Sequence, residues 1–266
     1  MHDSVFHTDA DMEFIDTHSH LYDEAFAGEE DLAFQRAVDA GVTKLIFPDI
    51  DSQSREAMFA FADRHKGSIF PCAGLHPTSV GASWEKEMLE VEKHLDRDII
   101  AIGEIGIDCY WSKEFLEQQK EVFRLQLETA SRLDLPVIIH SRESTEIIIN
   151  IIKELKHLGL RGVFHAYSGS KETFRELERL GDWYVGIGGV LTYKKASIAE
   201  TVKEIPLERI LLETDSPYLT PVPFRGKRNE SGYVPYIAQK LAELTGRDIS
   251  EIAASTTQNA QKLFNI

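Results

Sequence analysis

The sequence predicts an α/β chain folded as a single (β/α)8, or TIM, barrel with a metal site at the C-terminal ends of its strands. Three observations carry that expectation. Short apolar, β-branched runs alternate with long amphipathic segments eight times, the pattern of a parallel sheet wrapped by helices. The chain has 266 residues, close to the roughly 250 of one such barrel. Histidines and acids recur directly after the apolar runs, and the first run is followed by a histidine pair. An open doubly wound sheet, the rival fold, would usually carry a glycine-rich phosphate loop there.

The runs expected as strands are Phe14–Ile15, Lys44–Phe47, Ile69–Ala73, Ile99–Ile102, Val137–Ile139, Gly162–Phe164, Tyr184–Ile187 and Ile210–Leu212. Each is short and mostly apolar, as strands buried on both faces should be. Helices are expected over Glu29–Ala40, Ser54–His65, Glu114–Arg132, Lys171–Leu180 and Ala196–Glu204. In Glu114–Arg132 the period places Phe115, Val122, Leu125 and Leu133 near one stripe. Ile147–Ile152 is apolar almost all round and reads as helix because it lies between two better strands. After the eighth strand comes a polar loop, Pro221–Gly232. A helix near Tyr233–Leu244 follows, then one opened by Asp248 with Glu251 three residues on, the spacing of a capping box. Residues 1–12 read as a polar tail, and 13–266 as the one barrel domain.

Composition narrows the function. Two cysteines, Cys72 and Cys109, make no framework. No basic, apolar leader opens the chain and no apolar stretch is long enough to span a bilayer. The expectation is a cytoplasmic monomer with no membrane contact and no obligate protein partner. A net charge of −15 excludes a broad basic coat for nucleic acid. A polyanion would have to be held at one spot, and clustered divalent metals can reverse the local field.

The His and acidic residues supply that cluster. His18 and His20 follow the first strand two residues apart, on one face of an extended chain. Glu104 follows the fourth strand between glycines, where a free charge beside apolar surface would be costly. His140 ends the fifth strand, His165 the sixth, and Asp215 follows the eighth. Each alone has an ordinary reading as a hydrogen-bonded histidine or a turn cap. Together they converge on the face where barrels carry their sites. Six ligands exceed the usual three of one catalytic zinc and suit two metals sharing a carboxylate, with Glu104 the natural bridge. His, Asp and Glu donors admit Zn, Mn, Co or Mg.

These residues closely resemble the TatD-like metal-dependent deoxyribonuclease family, within the amidohydrolase-type barrels. The matching segments are Phe14-Ile-Asp-Thr-His18-Ser-His20, Gly74-Leu-His76-Pro77, Gly103-Glu104-Ile-Gly-Ile-Asp108, Pro136-Val-Ile-Ile-His140-Ser-Arg142, His165-Ala-Tyr-Ser-Gly169, Glu213-Thr-Asp215-Ser-Pro217 and Arg225-Gly-Lys-Arg-Asn-Glu230. The resemblance implies a barrel, two divalent cations and hydrolysis of DNA phosphodiesters, often from a strand end. By position, His18, His20, Glu104 and Asp215 would hold one metal, and Glu104, His140 and His165 the other. His76 would contact substrate phosphate beside them. The sequence departs from the family at Leu21-Tyr22-Asp23, where the acid is shifted by one place, at Ser19 and Ala166 where cysteine is frequent, and at Ser231-Gly232. None of these is a ligand position.

The implied mechanism uses Glu104, Asp215 and His76 as catalytic residues, Asp215 taking or positioning a proton and either His76 or a metal-bound water protonating the leaving oxygen. His76, Arg142, Arg225 and Arg228 are candidate contacts to phosphate oxygens of a DNA single strand or strand end. The plain alternatives are a salt bridge from Arg142 to Glu143 or Glu146, and a solvated turn for Arg225–Arg228. Tyr110, Trp111, Tyr167 and Tyr193 near the strand ends can stack on bases or simply pack the rim. The competing enzyme reading is an amidohydrolase-type enzyme acting on another phosphoester, ester or amide. Such sites often bridge their metals with a modified lysine, whereas the fourth strand here offers Glu104 and Lys113 lies beyond it. The competing non-enzyme reading is a binding module, whose mark would be lost ligands.

Overall fold

A computed structural model describes residues 12–266. The expected tail falls, apart from Met12, outside the described residues. Eight parallel strands run in order: β1 (Phe14–Asp16), β2 (Val42–Phe47), β3 (Ile69–Pro71), β4 (Ile102–Asp108), β5 (Val137–Arg142), β6 (Arg161–Phe164), β7 (Asp182–Ile187) and β8 (Ile210–Leu212). Ladders join β1 to β3 and β4 to β8 in sequence order. Between β3 and β4 the pairing passes to Ala73 and Ile102, with Gly103 N donating to Ala73 O at 3.0 Å. Between β8 and β1, Thr17 N donates to Leu212 O at 3.0 Å and Asp215 N to His18 O at 2.9 Å. The sheet therefore closes on itself, as a (β/α)8 barrel must.

The helices are α1 (Glu30–Asp39), α2 (Ser52–Arg64), α3 (Trp84–Glu92), α4 (Leu116–Leu133), α5 (Thr145–Glu154), α6 (Lys171–Glu178), α7 (Ile198–Thr201), α8 (Val234–Thr245) and α9 (Ile249–Phe264). Their caps follow from sequence. Asp51 accepts from Gln53 N and Ser54 N to open α2, and Ser170 accepts from Thr173 N to open α6. Asp248 caps α9 by accepting from Ser250 N at 2.8 Å. Glu251 does not complete a capping box: it pairs with Arg247 instead.

Three further expectations need correction. β4 spans Ile102–Asp108, so Glu104 lies inside it rather than after it. Gly106 is required by close approach: a Cβ there would stand 2.0 Å from the carbonyl oxygen of His140 on β5. His140 likewise lies within β5, paired with Gly106. Finally, the buried face of α4 is Gln119, Val122, Phe123, Gln126, Leu127 and Ala130, and Leu125 is exposed. The face is turned because two glutamines on it clamp the site backbone. Gln126 accepts from Leu75 N at 2.7 Å and donates to Leu75 O, while Gln119 accepts from Asp108 N at 2.9 Å and donates to Asp108 O.

The core has two parts. The larger packs the helices on the outside of the barrel. The smaller takes one residue per strand position, Ile15, Ile46, Cys72, Ala101, Ile138, Val163, Tyr184 and Leu211, and adds Ala260, Leu263 and Phe264 of α9. Two residues further along the same face come His140 after Ile138, His165 after Val163 and Glu213 after Leu211. The strand period of 2 thus stacks the polar layer directly on the apolar one.

Candidate metal centre

All six expected ligands meet above that apolar layer, and their contacts divide around Glu104, which is 2 % exposed. On one side, Glu104 Oε2 lies 3.0 Å from His18 Nε2 and 3.7 Å from His20 Nε2. Asp215 Oδ1 lies 3.7 and 3.6 Å from the same two nitrogens, which are 3.1 Å apart. On the other side, Glu104 Oε1 lies 2.8 Å from His165 Nε2, 3.0 Å from His140 Nδ1 and 3.2 Å from His76 Nε2. Two ligands about 2.1 Å from one ion in a tetrahedral arrangement stand about 3.4 Å apart. The observed separations, 2.8 to 3.7 Å, fit a shared cation on each side.

Hydrogen bonds behind the rings say which nitrogen carries a proton. The Tyr22 hydroxyl donates to the carbonyl of Pro48, so its oxygen can only accept from His20 Nδ1, 2.9 Å away. His20 Nε2 therefore presents its lone pair to the centre. His140 Nε2 donates to Asp108 Oδ2 at 2.9 Å, which turns Nδ1 toward Glu104. His76 is arranged the opposite way. Its Nδ1 accepts from Thr78 N at 3.1 Å, so the neutral ring carries its proton on Nε2. Burial lowers the His76 pKa and keeps the ring neutral near pH 7. His76 is thus a hydrogen-bond donor aimed at the centre, although its nitrogen is near enough to Glu104 and His140 to be counted among possible ligands.

The charges balance locally. Burial would raise the Glu104 carboxyl, but His165, His76 and His18 around it hold it well below the usual carboxylate range. Burial opposes ionisation of Asp108 too, yet the bond from His140 and the backbone N–H groups of Trp111 and Tyr110 bring its pKa down to about 2. Asp215 sits in the left-handed region, φ 57°, a conformation Asp tolerates better than most residues, and is only partly buried. Its carboxylate can reach both the two imidazoles and whatever enters the bowl.

Two acids of the centre escape the sequence reading. Asp108 orients His140, and its signal was the alternation Glu104, Gly106, Asp108 along one face of β4. Glu213 lies beneath His165 and His18, whose rings stack at 3.9 Å. One Glu213 oxygen accepts from Ala166 N, at 2.5 Å, and stands 3.8 Å from His165 Nδ1. Room for it comes from Gly186, where a Cβ would lie 2.0 Å from Glu213 Oε2.

The candidate arginines are placed differently. Arg142 is on the rim, exposed, with its guanidinium over the Tyr110 ring at 3.7 Å and no ion pair to Glu143 or Glu146 among the described residues. Arg225 lies over Tyr193 at 4.0 Å. Arg228 is tied down away from the cluster: it donates to Ala25 O at 2.6 Å and to Glu29 at 2.7 Å.

A family model described as TatD related DNase matches residues 15–265. A Bacillus subtilis (strain 168) protein, the uncharacterized metal-dependent hydrolase YabD, is 39% identical over 258 residues, covering 94% of this chain and 98% of its own. The 3'-5' ssDNA/RNA exonuclease TatD of Erwinia tasmaniensis is 32% identical over 249 residues, covering 91% of this chain and 95% of its own. Among solved structures, YJJV, a TatD homolog from Escherichia coli K12, superposes with a TM-score of 0.86 at 30% identity, covering 95% of this chain and 98% of its own.

Proposed function

This chain belongs to the TatD-related DNase family of metal-dependent hydrolases, and on that footing we propose that it hydrolyses phosphodiester bonds of single-stranded DNA from a strand end, with two divalent cations that Glu104 would hold together with His18, His20, His140, His165 and Asp215. The observation that carries the reading is the division of contacts at Glu104: one oxygen faces His18 and His20, the other His140 and His165. Asp215 completes the first set. Ions so held, Zn, Mn, Co or Mg, would supply Lewis acidity at the phosphoryl oxygens and an activated water near neutral pH.

The chain's own groups supply the rest. His20 and His140 are locked in their tautomers by Tyr22 and Asp108, so no reorientation is needed when ligands bind. Asp215, partly open to solvent, accepts or positions the proton of the attacking water. His76 Nε2–H donates to a phosphate oxygen or to the leaving oxygen. A strand end as substrate draws support from the name of the Erwinia relative, and a net charge of −15 disfavours holding long nucleic acid by overall charge.

The test is hydrolysis of single-stranded DNA labelled at either end, before and after chelation and after adding back each metal. Chelation abolishes release of mononucleotides and one or more metals restores it. If stoichiometric metal binds but no DNA is cut under any of the four metals, DNA is the wrong substrate and the same centre acts on another phosphoester, an ester or an amide.

A second expectation concerns Asp108. Asp108→Asn leaves His140 without its anionic partner and weakens metal binding about 10- to 100-fold. Competition against a chelator of known affinity measures this. Unchanged affinity would remove Asp108 from the support of the centre.

A further inference from the structure

The described surface carries an aromatic group with no packing reason to be exposed. Trp111 is 70 % and Tyr110 51 % exposed, and of the exposed large aromatics, Tyr218 being the other at 56 %, these two are adjacent in sequence and in contact. An open indole of this size is the kind of surface that marks a contact site. The segment is held in place rather than left to pack: Asp108 Oδ1 accepts from Tyr110 N at 2.9 Å and Trp111 N at 3.2 Å. The other oxygen of the same carboxylate holds His140. The aromatic pair and the metal centre are thus anchored to one side chain at the end of β4.

Arg142, the register partner of Asp108 on β5, completes the group. Its guanidinium covers the Tyr110 face at 3.7 Å and stands 5.4 Å from the Trp111 ring centroid. The two aromatic rings meet edge to face at 5.1 Å. Arg142 covers Tyr110 closely and stands more loosely over one side of the Trp111 ring, whose indole is otherwise 70 % exposed.

We infer that Trp111, backed by Tyr110 and Arg142, is a stacking subsite for one base of a single-stranded nucleic acid whose phosphate lies at the metal centre. The inference rests on the phosphodiesterase reading above. A flat, uncharged π-face beside a guanidinium matches a nucleotide in both of its parts: the base stacks on indole, and the phosphate next to it meets the cation. In a chain of net charge −15, this local cation offsets the acidic surface where a polyanion must approach.

The test uses the metal-loaded enzyme and two substrates of equal charge: a short oligothymidylate and an abasic phosphodiester of the same length. Trp111→Ala raises KM for the oligothymidylate about tenfold, while Trp111→Phe keeps most of the affinity. Removing the bases costs the parent a similar factor, and the effect of Trp111→Ala then disappears. A phosphorothioate oligothymidylate quenches indole emission of the parent and not of Trp111→Ala. Equal KM for parent and Trp111→Ala on the oligothymidylate would overturn the subsite alone. Hydrolysis of a small nitrophenyl diester with no oligonucleotide cleaved by the parent would instead overturn the nucleic-acid reading, and the subsite with it.

Discussion

Glu104→Ala will lose activity by several powers of ten and will bind fewer metal ions than its parent. The reason is geometric. Both halves of the centre lean on this one carboxylate, through different oxygens, at 3.0 Å to His18 and 2.8 Å to His165. On the proposed two-cation reading, removing it leaves each remaining set one anionic ligand short and removes the link between them. Metal stabilisation of developing charge contributes several kcal/mol, and each 1.36 kcal/mol is tenfold in rate, so a drop of about 10³-fold or more is expected. The check is turnover on a small diester together with metal per chain after dialysis. Glu104→Gln separates the bridge from mere space filling: it keeps the volume and one carbonyl oxygen, and should recover metal on one side only. Near-parental turnover in Glu104→Ala, with the fold intact by circular dichroism, would end the bridging assignment.

How much of this was legible in sequence follows from what each residue touches. His140 and His165 stand out because each comes directly after an apolar run, and the strand period then projects both from the face that carries Ile138 and Val163. Asp215 is in phase with Leu211 of β8, four residues before it, whereas the His18–His20 pair is out of phase with Ile15 of β1 and is legible only as two histidines two residues apart after an apolar run. The rule failed at β4. The apolar run Ile99–Ile102 reads as the whole strand, whereas β4 continues through Gly106, which lets the His140 carbonyl approach, to Asp108. The glutamines of α4 were hidden because a polar residue on a helix is normally assigned to water, and their partners, Leu75 and Asp108, lie far away in sequence for Gln126 and on another element for Gln119. Glu213 was masked by Asp215 two residues later. Its burial depends on Gly186 of β7, a contact no local pattern contains. The fate of Arg228, held by Glu29 and the carbonyl of Ala25 some two hundred residues earlier, depends on how the barrel closes, and residue order alone does not reveal it.

A buried ion pair behind the centre sets the second large effect. Asp49 and Arg55 are 0 % and 1 % exposed. Arg55 Nε donates to Asp49 Oδ2 at 2.6 Å, and Gly74 N donates to the same oxygen at 3.1 Å. Arg55 also donates to Gly74 O at 3.2 Å. Through its backbone, Asp49 N donates to Gly103 O at 2.8 Å and Asp49 O accepts from Glu104 N at 2.9 Å. The pair therefore ties β2, the turn before His76 and the Glu104 peptide together. Burial lifts the Asp49 carboxyl to about 7 even against the pull of Arg55, a sign of how poorly this pocket tolerates charge. Arginine cannot shed its proton to adapt, so above pH 7, where Asp49 is ionised, Asp49→Ala leaves a cation buried without its counter-charge, at a cost of about 3–5 kcal/mol. The urea midpoint should fall accordingly at unchanged slope. The double change Asp49→Leu with Arg55→Met removes both charges and should recover most of the loss, because burying neither charge costs less than burying one. A single Asp49→Ala variant within about 0.5 kcal/mol of its parent, the usual range for surface substitutions, would mean that the turn before His76 is held by other contacts. If instead the double variant regains stability but not metal, the pair serves to place Glu104 and His76 beyond its part in holding the fold.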